Sequence, residues 1–324
     1  MKQIRWGIIG CGDVTEVKSG PAFSKVPNSK LVAVMRRDAA KAEDYARRHN
    51  VPKWYADADA LINDPEVDAV YIATPPGSHA EYTFKVAAAG KPVYVEKPMA
   101  RTYEECQQMI EACEEAGVPL YVAYYRRSQP LFRKVKELVT TGAIGDVRLV
   151  NMRLYHPVQK DLDQEQLPWR VQPEHAGGGL FFDLASHQLD MLDYIFGPIT
   201  QAQGIVGNQA GLYPAEDVVA ATYAFGSGIL GTGMWSFTVG DNVKTDTIEI
   251  VGSAGRVMFS TFSSEVITLE NAEGVQAFTI PYPQHVQQPF IEEMVQDILG
   301  QGTCPSTGVS AARTAKIMDQ IVGR

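Results

Sequence analysis

The sequence predicts an α/β protein in two parts: a doubly wound domain over residues 1–123, then an α+β domain with a largely antiparallel open sheet over residues 124–324. Three observations predict it. Short, wholly apolar runs alternate with helix-like segments over about the first 120 residues, the pattern of a parallel sheet covered on both faces. Beyond residue 124 the apolar runs follow one another through glycine turns, as antiparallel strands do. The length of 324 residues also exceeds what one hydrophobic core usually serves.

The elements follow in order. Ile4–Ile9 is the first strand and runs into Gly10-Cys11-Gly12; strands at 31–35, 69–73, Val93–Val95 and 118–123 come next. Asp38 precedes a helix rich in Ala, Lys and Glu. Ser78 with Glu81, and Thr102 with Glu105, read as capping boxes, and Gly90 and Gly117 close those two helices. In the second half a helix over 131–140 leads through Gly142 and Gly145 to strands at 147–155, 199–206, Val218–Phe225, 229–237, 247–251 and 256–260. Hairpin turns are expected at 225–229 and 252–255. One long helix over 179–196 interrupts the strands, and helices near 288–299 and 309–322 finish the chain.

Composition removes several function classes. A net charge of −9 argues against a nucleic-acid backbone as partner. No apolar run reaches the roughly 18 residues that span a bilayer, so no membrane partner is expected. The first apolar run is too short for a secretory segment and flows into the glycine motif, so no leader is expected and the location reads as cytoplasmic. The four cysteines form no CxxC pair and no Cys/His zinc spacing, which predicts a reduced protein without a structural metal. Cys11 reads as a small filler in the glycine loop rather than a nucleophile.

Residues 10–15 read G-x-G-x-x-T behind a strand, where a dinucleotide fingerprint ends in Gly or Ala. Gly10 allows the tight turn and Gly12 lets the backbone approach a pyrophosphate, with Cys11, Asp13 and Val14 completing the contact. This makes the first domain a Rossmann domain, with Thr15 a departure at some cost in close helix–strand packing. An NAD-binding unit usually ends its second strand in Asp or Glu. Here the chain reads Met35-Arg36-Arg37-Asp38, and two guanidinium groups suit a 2′-phosphate, so NADP(H) is expected over NAD(H). The other reading leaves Arg36 and Arg37 as solvated surface charges. Asp38 reads as a helix N-cap rather than a ribose ligand.

Glu96-Lys97-Pro98 ends a buried strand with a charged pair, and strand ends of this kind face the ligand crevice. Beside a positively charged nicotinamide, Lys97 should have a lowered pKa and can serve as acid or base; a surface Glu–Lys pair is the plainer reading. Thr74-Pro75 ends another strand, and His79 begins the helix after it, either near a cofactor or as a polar first-turn residue. Asp183 and His187 are four apart and share one helix face, an arrangement that orients an imidazole for proton transfer. A satisfied core histidine fits the same spacing; a metal pair lacks further ligands. Trp169 and Arg170 precede Gly177-Gly178-Gly179 and either contact a polyol or anchor the loop.

Taken in order, the glycine loop, Ala73-Thr74-Pro75 with His79, Glu96-Lys97-Pro98, Trp169-Arg170, the triple glycine and Asp183-x-x-x-His187 resemble the Gfo/Idh/MocA family across nearly the whole chain. The resemblance implies that the first domain binds NAD(P) and the second supplies the substrate pocket. It also implies that Lys97, Asp183 and His187 are catalytic, and that the chain forms a homodimer or homotetramer through the C-terminal sheet. Family members often carry Asn-Arg or His-Arg where this chain reads Tyr124-Tyr125-Arg126-Arg127. The expected reaction is hydride transfer between NADP(H) and a secondary alcohol or carbonyl of a sugar, polyol or related cyclic diol. The rivals are a hydrolase or epimerase with a tightly bound nicotinamide, and a non-catalytic NADPH sensor.

Overall fold

The structure is a computed structural model that describes residues 3–158, 162–163 and 165–324. The chain forms two compact units: Met1–Gln129 with Pro283–Ala312, and Pro130–Tyr282 with Arg313–Arg324. A single cut after residue 123 does not describe them, because the chain returns to its first unit. The reason is apolar burial. Phe290, Ile291, Met294 and Val295 of the helix Gln288–Ile298 belong to the first unit's core, and the Phe290 ring lies 5.6 Å from that of Tyr94.

The first unit holds six strands: β1 (Ile4–Ile9), β2 (Ser29–Met35), β3 (Lys53–Tyr55), β4 (Ala69–Ile72), β5 (Val93–Val95) and β6 (Leu120–Val122). They form one parallel sheet in the order β3-β2-β1-β4-β5-β6. This is the doubly wound order, whose direction reverses between β1 and β4. The register aligns the strand ends: Ile9 lies beside Met35 and Ile72, and Ile72 beside Val95. The next residues, Gly10, Arg36, Ala73 and Glu96, therefore leave the sheet along one carboxyl edge. Helices α1 (Asp13–Val17), α2 (Ala39–Arg48), α3 (Ala58–Ile62), α4 (His79–Ala88) and α5 (Tyr103–Glu115) connect the strands. Asp38 caps α2 by accepting from the Lys41 N–H, and Thr102 caps α5 by accepting from Glu105. Ser78 does not cap α4 with its side chain; its hydroxyl donates to Thr74 Oγ1 at 2.8 Å.

The second unit runs through α6 (Pro130–Thr140), β7 (Val147–Pro157), α7 (Pro173–Ala176), α8 (Ser186–Phe196), β8 (Ile199–Gly207), β9 (Val218–Phe225), β10 (Leu230–Val239), β11 (Thr245–Gly252), β12 (Gly255–Phe259), β13 (Val266–Asn271) and β14 (Gly274–Thr279). The strands form one sheet in the order β14-β13-β12-β11-β7-β10-β9-β8, antiparallel throughout except for the β7–β10 pair. Residues alternate between buried and open along β9 and β10. Leu131 and Phe132 of α6, with Leu189 and Leu192 of α8, join the buried positions of these strands in one core. The other face is open, with Ile205 80 % and Leu230 62 % exposed. The helix expected over 179–196 begins differently: Phe181–Ala185 is a π-helical turn, and α-helix starts only at Ser186.

Candidate active site

In the first unit the glycine loop is packed rather than merely flexible. Gly10 has φ +88°, and a Cβ there would lie 2.7 Å from Thr74 Cγ2 and 3.0 Å from the Thr74 nitrogen. Glycine thus meets two demands, a left-handed backbone and a close approach to the β4 loop. At Gly12 a Cβ would meet nothing nearer than the Gly10 oxygen at 3.9 Å. That side of the loop is open, and it fits the backbone approach of a diphosphate. Thr15 costs no visible packing: it is buried and its hydroxyl donates to the Gly12 carbonyl at 2.7 Å. The close approach lies further on, at Gly20, where a Cβ would fall 2.2 Å from the Tyr45 hydroxyl.

Cys11 is buried, and burial pushes its thiol up to about 11, so it is a filler and not a nucleophile at neutral pH. Its carbonyl accepts from Arg36 Nη1 at 3.3 Å. Arg36 thus reaches across from the β2 end to the glycine loop. Arg37 is exposed beside it, and Asp38 is engaged as the α2 cap. Asp13 is exposed and Val14 half-buried at the start of α1.

The β4 and β5 loops complete this half. Thr74 is half-buried and Pro75 exposed, while His79 is buried with no exposed surface. Its Nε2 lies 2.7 Å from the Thr74 carbonyl, and its Nδ1 lies 3.1 Å from both the Pro98 and the Met99 carbonyls. Glu96 is not a surface partner for Lys97. It is 6 % exposed, and its Oε1 accepts from the Tyr71 hydroxyl at 2.5 Å and from Gln287 Nε2 at 2.7 Å. Its Oε2 accepts the Lys97 main-chain N–H at 3.1 Å. The carboxylate therefore works inward and holds the loop that carries Lys97, which is half-buried and joined to Pro98 by a cis peptide. Tyr71 and Gln287 are residues that sequence reasoning missed. Gln287 stands 191 positions from Glu96, and nothing local to either residue signals the pair.

In the second unit the triple glycine delivers Asp183. Gly177 closes α7 in a left-handed conformation, φ +82°. A Cβ on Gly178 would strike the Phe182 ring at 2.1 Å, and one on Gly179 would fall 2.7 Å from Ala215 Cβ. Asp183 sits in the π-helical turn, a feature frequent at functional sites. Arg170 Nε lies 3.3 Å from Asp183 Oδ2, and its guanidinium stands 4.5 Å above the Trp169 ring. Trp169, Arg170 and Asp183 are thus brought together. His187 is 4 % exposed on α8, edge-on to the Phe262 ring at 5.8 Å. The helix that carries it is anchored at both ends: Trp235 donates to Gln188 at 2.7 Å, and Arg313 grips Asp193 at 2.6 Å. His156 lies at the end of β7, where the chain enters the stretch before Trp169. Burial first, and Lys244 second, lower its imidazole pKa, and its Nε2 is buried without a hydrogen-bond partner among the described residues. Residues 159–161 and 164, in the charged stretch that precedes Trp169 and Arg170, lie outside the described residues.

Comparisons with known proteins agree with both halves. Residues 4–124 match the oxidoreductase family described as an NAD-binding Rossmann fold, and residues 132–258 match the GFO/IDH/MocA C-terminal domain. The chain is 38 % identical to "Oxidoreductase P35" of Formosa agariphila over 322 residues, 99 % of each protein. It is 28 % identical to 1,5-anhydro-D-fructose reductase of Ensifer adhaerens over 310 residues, 94 % of this chain and 91 % of the relative. Among solved structures, a levoglucosan dehydrogenase in complex with NADH superposes with a TM-score of 0.89 at 24 % identity, covering 99 % of this chain and 96 % of the other.

Proposed function

The chain belongs to the Gfo/Idh/MocA family of oxidoreductases, and from that premise we propose that it transfers a hydride between NADP(H) and a secondary alcohol or carbonyl of a sugar, polyol or related cyclic diol. The first unit is an NAD(P)-binding domain. The choice of NADP rests on one observation above all: Arg36 and Arg37 follow β2, Arg36 bonds to the glycine loop, and the acid that comes next, Asp38, is engaged as a helix cap. The 2′-phosphate would be held by charge-assisted bonds from those two guanidinium groups. The levoglucosan dehydrogenase was solved with NADH, but at 24 % identity it speaks for the fold alone. The substrate class rests on the 1,5-anhydro-D-fructose reductase, whose name describes a sugar-derived ketone.

The bound nicotinamide supplies or takes the hydride; the chain's residues do the rest. His187 moves the hydroxyl proton, with Asp183 orienting it. Lys97 polarises the same oxygen or shares the proton. Arg170 sets a cation beside the Asp183 carboxylate, and Trp169 offers an aromatic face to a sugar ring. The open face of the second unit's sheet, with Ile205, Leu230 and Met234 exposed, suits a homodimer or homotetramer. Four free, buried cysteines suit a reducing, cytoplasmic setting.

Fluorescence titration with NADPH and NADH side by side tests the cofactor claim. NADPH should bind about tenfold more tightly or better. Equal or tighter NADH binding would remove both arginines from cofactor choice. Binding of neither would sink the whole reading. Anhydro sugars, aldoses and inositols, assayed with the preferred cofactor, then test the substrate class.

A further inference from the structure

We propose that His79 is a positioning residue for Lys97, a buried clasp between the loop after β4 and the loop after β5. The inference rests on the reading above only in taking Lys97 as catalytic. The clasp has three links along the carboxyl edge of the sheet. Gly10 is packed against Thr74, so the glycine loop and the β4 loop share a boundary. The Thr74 carbonyl meets His79 Nε2 at 2.7 Å. His79 Nδ1 in turn meets the carbonyls of Pro98 and Met99 at 3.1 Å each, directly after Lys97. Pro98 and Met99 are themselves buried, so the loop has little solvent to exchange these bonds with.

The chemistry of the ring gives the clasp its character. All three of its partners are acceptors, and a neutral imidazole has one N–H to give. The neutral ring ties down one loop; the imidazolium ties down both. Burial pulls the His79 pKa below its ordinary value, while the three carbonyls and the nearby Glu96 carboxylate push it back up. A side chain of similar volume without a donor leaves these carbonyls without the ring's N–H, and a donor at only one end serves only one loop. Glu96 braces the opposite side of Lys97 through Tyr71 and Gln287. Lys97 is therefore bracketed by the Glu96 contact at its own amide and by the His79 contacts at the two residues after it.

The test uses the whole chain and needs no substrate. Acetylation of Lys97 by sulfo-N-hydroxysuccinimide acetate is followed by peptide mass spectrometry, with exposed Lys41 as internal reference. Three variants are compared with the parent. H79N carries its donor where Nδ1 was, H79Q carries it near Nε2, and H79L has bulk and no donor. Lys97 labelling relative to Lys41 should change about fivefold in H79L, the scale of one lost buried hydrogen bond, and by less in H79N and H79Q. NADPH affinity should stay within about threefold, because the glycine loop keeps its own contacts. A parental labelling ratio in H79L would mean that packing alone sets the loop, and would overturn the clasp. If H79L does not fold, parental ratios in both H79N and H79Q overturn it equally. K97M separates this inference from the reading it rests on. Normal turnover in K97M removes Lys97 from catalysis, while the labelling ratios still decide whether His79 holds the loop.

Discussion

The candidate residues of the two units are held by different means. In the first unit the parts that matter are fixed through main chain: Gly10 against Thr74, His79 against three carbonyls, and Glu96 against the Lys97 amide. In the second unit Asp183 sits on a π-helical turn and is met by the side chain of an arginine that is 49 % exposed. Main-chain clamps set position and are indifferent to salt. A half-exposed ion pair sets charge as well as position, and ions in solution weaken it. The contacts of the first unit are therefore built for constancy, and the Arg170–Asp183 pair of the second is open to adjustment.

The largest expected effect falls on Lys97. Lys97→Met should lower turnover by about 10²–10⁴-fold, the range for a lost general acid or base, with NADPH affinity nearly unchanged. Turnover within a few-fold of parent would mean that the clamps around Lys97 serve only the fold. The next effect separates the halves by glycine. Gly10→Ala forces a side chain onto φ +88° and into Thr74, a strain of about 1–3 kcal/mol that should weaken NADPH binding by about tenfold or more. Gly178→Ala drives a Cβ to 2.1 Å from the Phe182 ring; it should reduce turnover and thermal stability but leave NADPH affinity close to parental. If both variants damaged cofactor binding alike, the division of labour would be wrong. Smaller again, Arg36→Ala should narrow the NADPH-to-NADH affinity ratio by about tenfold, one charge-assisted bond's worth.

How much of this is legible in the sequence follows the same division. The glycine loop, Glu96-Lys97-Pro98 and Asp183-x-x-x-His187 are contiguous, so their chemistry stands in the order of residues. Asp38 and Thr102 are readable as caps because a cap bonds three residues ahead. Ser78 departs from its expected cap because its backbone, at φ −115° and ψ 1°, lies outside the extended geometry that aims a cap oxygen at the helix amides. Strand β3 is a three-residue edge strand with an exposed centre, and β14 is exposed along most of its length, so neither leaves a periodic apolar trace. The Glu96–Gln287 bond and the return of helix Gln288–Ile298 to the first unit join residues far apart in sequence. Only tertiary structure can supply such pairs. The π turn is hidden because Asp183 and His187 satisfy helical spacing under either winding.

Arg170→Ala probes the adjustable half directly. Removing one half-exposed partner of Asp183 should cost about 1 kcal/mol or less in transition-state stabilisation, a few-fold in turnover. The informative reading is the salt series: the parent's turnover should fall as salt rises, and the variant's should be flatter. Equal salt slopes would show that the Arg170–Asp183 pair does not contribute to turnover.

The smallest effect concerns an ion pair behind the glycine loop of the first unit. Behind the glycine loop, Glu16 of α1 accepts from Arg48 at 2.7 Å and lies 2.7 Å from His49 Nε2. The Arg48 bond, more than His49, holds its carboxyl at about 2, against the desolvation that would raise it. An unfolded glutamate titrates near 4.3. The folded value is the lower one, so the stabilisation is present above about pH 4.3 and is lost as pH falls towards 2. Because the Glu16 side chain is 34 % exposed, solvent screening limits the contribution at neutral pH to about 1 kcal/mol. Glu16→Gln should therefore lower the urea midpoint slightly at pH 7, and the gap to parent should close as both are titrated from pH 5 to about pH 3. A gap that stays constant across that range would mean that the substitution disturbs α1 by shape rather than by charge.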